Sequence, residues 1–509
     1  MNREGHISFS WDFYSLLAIA VFALLQVLWW PLAPQFIDSY YHLLTSWGFI
    51  KAGGYTGWDF WQYAPYGRPH IYPPIFQLLL AFMLKMGFGK IFLLKITETL
   101  TPILALFTFR YFTSRYFGSR FTFFCLTFLI SSFSFYLSFV NNIPATLAII
   151  FGLLAFDQMF QKNLTRAVIL LSLTFYTHIG IPWFLLLTFF FYGLLDRNYR
   201  RIALSVALLA LCISAPIIWK QLANVKYIHV FSIKMERYFC EFKPFVYLFA
   251  LPGLWFIWLR GKIYRFIFSL FLASLVFLSY PYRFFSAQGF MPFIFLAATT
   301  LDCIYERAIN SKKRRLLMGV VASALLFMCV FSPTFALRKE LYGPVMSKWR
   351  IFDSALVDMF FAGFNKRLPT PSVWFPKIYL PAAELIKENS NEQDIIYSPH
   401  YIVGVCLAAL SDRPTANRLL GEVDAALTFD PFITSKIVVF LKDDKPQEIN
   451  KLIYFYNLIK IGENDAFIIY KNRLCKAKVS VTSAVFPFWA VLTLGGLVIL
   501  LFAAARKSK

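Results

Sequence analysis

Acid–base and metal chemistry needs carboxylates and imidazoles, and this 509-residue chain holds only 27 Asp and Glu and 6 His. Four of these groups fall in the single stretch 34–74. It opens Pro34-Gln35-Phe36-Ile37-Asp38-Ser39-Tyr40-Tyr41-His42, runs through Gly57-Trp58-Asp59 to Gly67-Arg68-Pro69-His70, and closes on Tyr72-Pro73-Pro74. Asp38 and His42 are spaced i,i+4 and share one face of a short helix. A carboxylate beside an imidazole acts as a general base or holds a divalent metal such as Mg or Mn. Asp38 is the first candidate for a catalytic group, with His42, Asp59 and His70 as supporting or metal-binding candidates. The aromatic side chains around Asp59 offer flat faces to a sugar ring or anchor the loop at a membrane interface. Arg68 and Tyr72 are candidates for contacts with a lipid phosphate or substrate.

Two features further along carry polar groups within apolar surroundings. Tyr176-Thr177-His178-Ile179-Gly180-Ile181-Pro182 interrupts a hydrophobic stretch. A polar group at membrane depth is costly, so His178 is either a site residue, with metal binding among its options, or a helix breaker. Arg283 and Gln288, in the segment 280–289, lie between two apolar runs. A cation there holds a lipid phosphate by charge-assisted hydrogen bonds, or else snorkels to headgroups.

The elements that must position these groups follow from composition. Hydrophobic residues make up 59% of the chain and charged residues 15%, with 60 Phe. That is too apolar for one water-soluble core, and suits spanning helices, which pair their own backbone polar groups. Apolar runs of spanning length are 13–33, 120–139, 143–161, 179–196, 201–219, 243–259, 263–281, 286–303, 316–337 and 483–505. The run 166–178 is short for a span. Residues 75–110 are too long for one, broken by Lys85, Lys90 and Lys95, and their number of crossings stays open. The first run is longer than a signal-peptide core and lacks a small-residue cleavage site, so it reads as a retained helix.

A net charge of +23 in a soluble protein would suggest nucleic acid. Here the basic residues sit in short loops, which excludes nucleic acid and leaves lipid phosphate as a partner. The clusters Arg110/Arg115/Arg120, Lys162/Arg166, Arg197/Arg200/Arg201, Arg260/Lys262/Arg265, Lys312–Arg315 and Arg506/Lys507/Lys509 recur at every second loop and should be cytoplasmic. The loop 220–242, with Lys220, Lys226, Lys234 and Arg237, departs from this rule. With both termini cytoplasmic in a plasma (inner) membrane, Asp38, Asp59, Asn141, Asn142, His178, Arg283 and Gln288 all fall on the outer side. Leftover polar residues would be divided between the faces, so the convergence marks an active face. The 7 Cys are scattered without any CxxC pairing and imply no zinc or disulfide framework.

Residues 338–482 mix charges of both signs. Helices are expected over Pro381–Asn389 and around Tyr401–Leu410 and Pro446–Lys460, with strands at Asp394–Ser398, Lys436–Leu441 and Ala466–Tyr470. No glycine-rich phosphate loop occurs there. The reading is a polytopic α-helical membrane module over 1–337 with the outer loop 34–74, an extracytoplasmic α/β domain over 338–482, and a last helix with a basic tail over 483–509. In all, about twelve helices cross the membrane.

An acid just after the first helix, an aromatic first outer loop and a Tyr72-Pro73-Pro74 that starts the next apolar segment resemble the GT-C membrane glycosyltransferases. That group includes oligosaccharyltransferase catalytic subunits and the O-mannosyltransferase and aminoarabinose-transferase relatives. The resemblance implies a GT-C-like bundle and transfer of a sugar from a polyprenyl-phosphate-type lipid donor to an acceptor, with Asp38 as catalytic base or metal ligand. Two departures stand out: residues 338–482 hold no WWDYG-type motif, and the first-loop acid is single (Asp38-Ser39) where mannosyltransferases carry an Asp-Glu pair. The rival readings are a transporter or lipid flippase, against which no internal repeat is found, and a catalytically inert scaffold of the same fold.

Overall fold

The computed structural model describes residues 10–488 apart from 31–32, 35–36, 133–135, 137–138, 141–142, 229–239, 280, 286, 310, 340–344, 361–375 and 420–422. Asn141, Asn142 and nearly all of the last apolar run lie outside these residues. The chain forms two compact units. One comprises Met1–Pro31, Thr99–Ala215 and Ile233–Leu368, and the other Leu32–Glu98, Pro216–Ser232 and Pro369–Lys509.

The first unit is chiefly helical: α1 (Trp11–Leu28), most of α4 (Lys90–Phe117), α5 (Ser119–Ser131), α6 (Ile143–Phe160), α7 (Leu164–Phe175), α8 (Ile181–Leu195), most of α9 (Arg200–Ala223), α10 (Pro244–Leu259), α11 (Arg265–Ser274), α12 (Met291–Ile309) and α13 (Arg314–Val330). Among the described residues, α1, α4, α6 and α9 are long and apolar enough to cross a membrane. α1 shows why such a helix prefers lipid to water: Leu24, Val27 and Leu28 are all more than half exposed. Inside, aromatic rings fill the space between helices. Phe156 stacks on Phe189 at 4.0 Å, and Phe112, Phe160 and Phe266 meet around it. A Cβ on Gly253 would stand 2.2 Å from the Leu296 carbonyl oxygen, so only glycine lets α10 approach α12 so closely.

Several arginines expected as loop charges are held by acids. Asp302 and Glu306, i,i+4 on α12, face Arg120 and Arg260, with Arg260 Nη1 2.6 Å from Asp302 and Nη2 2.7 Å from Glu306. The predicted span 316–337 stops at Val330, because Thr334 begins a strand. β5 (Thr334–Lys339) pairs antiparallel with β4 (Cys240–Phe242) and β6 (Val345–Arg350), in the order β4-β5-β6. Buried Lys243 closes this sheet by donating to Ser332, Thr334 and Asp353. The run 166–178, short for a span, forms a helix of 12 residues, while 263–281 forms a shorter helix than expected, of 10 residues, followed by a 3-10 turn at Leu275–Ser279.

The second unit joins the loop segment 34–74 to the C-terminal α/β segment. The α/β segment carries α14 (Pro376–Asn389), β7 (Ile396–Tyr397), α15 (Tyr401–Ser411), β8 (Ile437–Leu441), α16 (Pro446–Tyr456), β9 (Leu458–Glu463) and β10 (Phe467–Asn472). The sheet runs β7-β8-β10-β9, with β7 parallel to β8 and the other pairs antiparallel. α2 (Ile37–Ala52) and α3 (Ile75–Lys85) belong here as well, with β1 (Gly54–Tyr55), β2 (Trp58–Asp59) and β3 (Arg68–Pro69) between them. β1 pairs with β11 (Phe486–Pro487), more than four hundred residues away. One apolar core takes Leu43, Leu44 and Trp47 from α2, Phe60 and Trp61 from the loop, and Ile395, Val405, Leu407, Phe467 and Ile469 from the α/β segment. Residues 75–110, left open above, divide at Met86–Gly89 into α3, about 16 Å long, and α4, about 42 Å. Only α4 matches the roughly 30 Å of a hydrocarbon core.

Candidate active site

Asp38 lies in the first turn of α2, half-buried. Its sequence neighbour Ser39 is buried, and the Ser39 hydroxyl donates to the carboxylate of Glu98 on α4. The sequence reading passed over Glu98, although an acid inside an apolar helix of membrane length is itself a signal. One turn on, His42 is buried and accepts at Nδ1 from Gln77 Nε2 of α3 at 3.0 Å, with its ring against Phe76 (5.1 Å) and Tyr72 (5.6 Å). Burial lowers the His42 pKa to about 3, so the ring is neutral and carries its proton on Nε2. Asp38, His42 and Tyr72 thus gather about the start of α2.

Asp59, Arg68 and His70 form a second group. The turn between β2 and β3 needs a residue of positive φ, supplied by Gly67 at φ +70, where a Cβ would meet the Asp59 carbonyl oxygen at 2.6 Å. The pairing of Asp59 with Arg68 across β2 and β3 then sets the acid beside the guanidinium. Arg68 Nε lies 3.2 Å from Asp59 Oδ2, Nη1 donates to the Val423 carbonyl at 2.9 Å, and Nη2 donates to Gln62 Oε1 at 2.8 Å. The guanidinium is 1% exposed. It is turned inward and spent on loop and α/β-segment acceptors, which leaves the lipid-phosphate role expected of it without a free face. His70 Nδ1 is 2.5 Å from Asp59 Oδ1. Burial would raise the Asp59 carboxyl, but His70 and Arg68 outweigh it and hold the group below its usual range. Burial also lowers the His70 pKa, more than Asp59 restores it. The group is a carboxylate shared by a guanidinium and a neutral imidazole that donates through Nδ1. Lys220, whose charge broke the loop rule, donates to the Tyr55 hydroxyl.

His178, Arg283 and Gln288 belong to the other unit. His178 Nδ1 accepts from the backbone N–H groups of Gly180 (3.0 Å) and Ile181 (3.1 Å), capping the first turn of α8. Arg283 Nη1 donates to Gln288 Oε1 at 3.3 Å. The metal set Asp38, His42 and His178 does not fit this arrangement. Nδ1 of each imidazole is already an acceptor for a protein donor, which puts the proton of the neutral ring on Nε2. Among the described residues no group of three His, Cys, Asp or Glu stands close enough to hold an ion.

No family profile matches the sequence, and no curated protein matches it either. Solved structures do. The archaeal oligosaccharyltransferase AglB from Archaeoglobus fulgidus, in complex with an inhibitory peptide and a dolichol-phosphate, superposes at TM-score 0.54 and 12% identity, over 85% of this chain and 70% of that one. The same organism's oligosaccharyltransferase with Zn and sulfate gives 0.52 and 11%, over 86% and 69%. Apo ArnT from Cupriavidus metallidurans gives 0.51 and 14%, over 90% of this chain and 98% of that one. At such identities the likeness is one of fold, and the GT-C fold suggested by the segment 34–74 is borne out.

Proposed function

We propose that this chain is a membrane glycosyltransferase that moves a sugar from a polyprenyl-phosphate-type lipid donor to an acceptor on the non-cytoplasmic face. What carries the reading is Asp38 in the first turn after α1, in a chain with the fold of an oligosaccharyltransferase solved with a dolichol-phosphate. The membrane arrangement proposed with it has about twelve crossings, with cytoplasmic termini and the outer loop and α/β segment outside.

A sugar on a polyprenyl phosphate has its leaving group pinned at the headgroup plane. The acceptor hydroxyl forms a bond to the anomeric carbon as the carbon–phosphate oxygen bond breaks, and the bonding pair leaves with the phosphate. Asp38 takes the acceptor proton, and the phosphate carries away the charge that grows as the bond breaks. Arg283, which donates to Gln288, is a separate candidate contact for a lipid phosphate. His42 stays neutral against Gln77 and supports the turn that carries Asp38. The Asp59–Arg68–His70 group holds the loop in shape. No step is routed through a metal.

The test uses membranes containing the chain and a panel of synthetic polyprenyl-phosphate sugars. Asp38→Asn keeps the shape of the side chain and removes its basicity. Transfer should fall by at least about a hundredfold, the typical contribution of a general base, with expression and thermal midpoint unchanged. A variant that transfers at near-native rates refutes the assignment and favours the inert-scaffold reading.

A further inference from the structure

Glu98 is a carboxylate that the reaction outlined above does not use. It is 2% exposed, on a helix that is otherwise long and apolar, where an ionisable group is expensive to keep. Its partner is informative. Serine hydroxyls in helices of this protein mostly turn back on their own backbone, as Ser46 does to the His42 carbonyl, Ser131 to Thr127 and Ser172 to Val168. The Ser39 hydroxyl instead leaves its helix and donates to Glu98 Oε1, 59 residues away in sequence. Ser39 is itself 1% exposed and directly follows Asp38. Glu98 also acts on the next residue: burial raises the Tyr40 hydroxyl pKa well above its usual value, with Cys406 and Glu98 adding to it. One buried carboxylate thus reaches residues 39 and 40, in the first turn of the helix that starts at Ile37. The positive end of the helix dipole at that turn also favours a negative charge.

We infer that Glu98 is a positioning residue for Asp38, fixing the rotation of the first turn of α2 through Ser39 so that the Asp38 carboxylate meets the acceptor. This rests on the reading of Asp38 as the base. The bond ties a turn that would otherwise pivot, and a misplacement of about 1 Å at a reacting group costs on the order of a hundredfold in rate.

The experiment compares Glu98→Ala, Glu98→Gln, Ser39→Ala and the Glu98→Ala/Ser39→Ala double variant, using whichever panel donor the native chain turns over. Glu98→Ala and Ser39→Ala should each lower kcat by roughly ten- to a hundredfold and leave the donor KM and the thermal midpoint near native. The double variant should be no worse than the slower single one, since both remove the Ser39–Glu98 bond. Glu98→Gln should recover most of the rate, because an amide oxygen accepts the same hydrogen bond. Native kcat in Ser39→Ala, additive losses in the double variant, or Glu98→Gln as slow as Glu98→Ala would each overturn the inference. Asp38→Asn is run beside them. If it alone retains transfer, the catalytic reading falls; if it abolishes transfer while Glu98→Ala and Ser39→Ala do not lower it, only the positioning role falls.

Discussion

Replacing Arg68 by methionine tests whether the first outer loop is locked to the α/β segment by a buried ion group. The substitution keeps an unbranched apolar stem and deletes three donors. Asp59 then loses its guanidinium partner, and Gln62 Oε1 and the Val423 carbonyl each lose a donor in a region closed to water. Breaking a buried pair by removing one member costs about 3–5 kcal/mol, less than the sum of the separate bonds because the losses overlap. The readout is Cys406, which lies 2% exposed in the core shared by α2 and α15 and whose thiol burial pushes well above its usual pKa. It reacts with a maleimide only when that core opens. With each 1.4 kcal/mol worth a factor of ten in the opening equilibrium, Arg68→Met should speed Cys406 labelling, followed by peptide mass spectrometry, by roughly two to three decades. Arg68→Lys should fall between, since a point charge cannot reach three acceptors. Adding Asp59→Asn to Arg68→Met should recover part of the loss, because a neutral amide needs no cation. Labelling of Arg68→Met within about threefold of native would refute the lock.

The buried imidazoles make the same unit sensitive to acid. His42 titrates near 6.5 when unfolded and at about 3 when folded, and the His70 pKa is lowered too. Their stability is therefore fully present above about pH 6.5 and is lost as pH falls below it, for His42 by about 1.4 kcal/mol per pH unit. The thermal midpoint should drop steadily from pH 7 to 5, and His42→Gln should flatten that slope; a midpoint constant over this range contradicts the neutral, buried assignment. For the membrane arrangement, single cysteines at 38–70 and 380–470 should react with an impermeant reagent from outside, and those at 308–314 from inside. Labelling of 308–314 and 380–470 from one side would overturn the proposed topology.

Much of the helical framework was legible because apolar runs and their breaks are written in local composition: α6, α8, α10 and the helices of the α/β segment lie close to where periodicity puts them. Strands β7, β8 and β10 were equally visible as short apolar β-branched runs. What was not legible was long-range. Nothing local marks Thr334 as the start of a strand rather than the end of a span, because its partners, Cys240–Phe242 and Val345–Arg350, are fixed by tertiary pairing. β9 was absorbed into the preceding helix, whose pattern continues past Tyr456 until Asn457 turns left-handed at φ 51. In the site, Asp59 and His70 were singled out, but their mutual bond and their tie to Arg68 depend on a hairpin closed by Gly67. Glu98 lies in a run already broken by Lys85, Lys90 and Lys95, where one more charged residue does not stand out.

The shared core of α2 and the α/β segment also sets an order of events during synthesis. Leu43, Leu44 and Trp47 leave the ribosome about 360 residues before Val405 and Leu407, against which they pack. At roughly 5–20 residues per second, the apolar face of α2 waits about 20–70 s for its cover. Through that interval the helix bearing Asp38 has neither its final neighbours nor the pairing of Gly54 and Tyr55 with Phe486 and Pro487. The loop thus acquires its working shape only when the last part of the chain has been made, so a truncated, half-translated copy carries its acid without the frame that aims it.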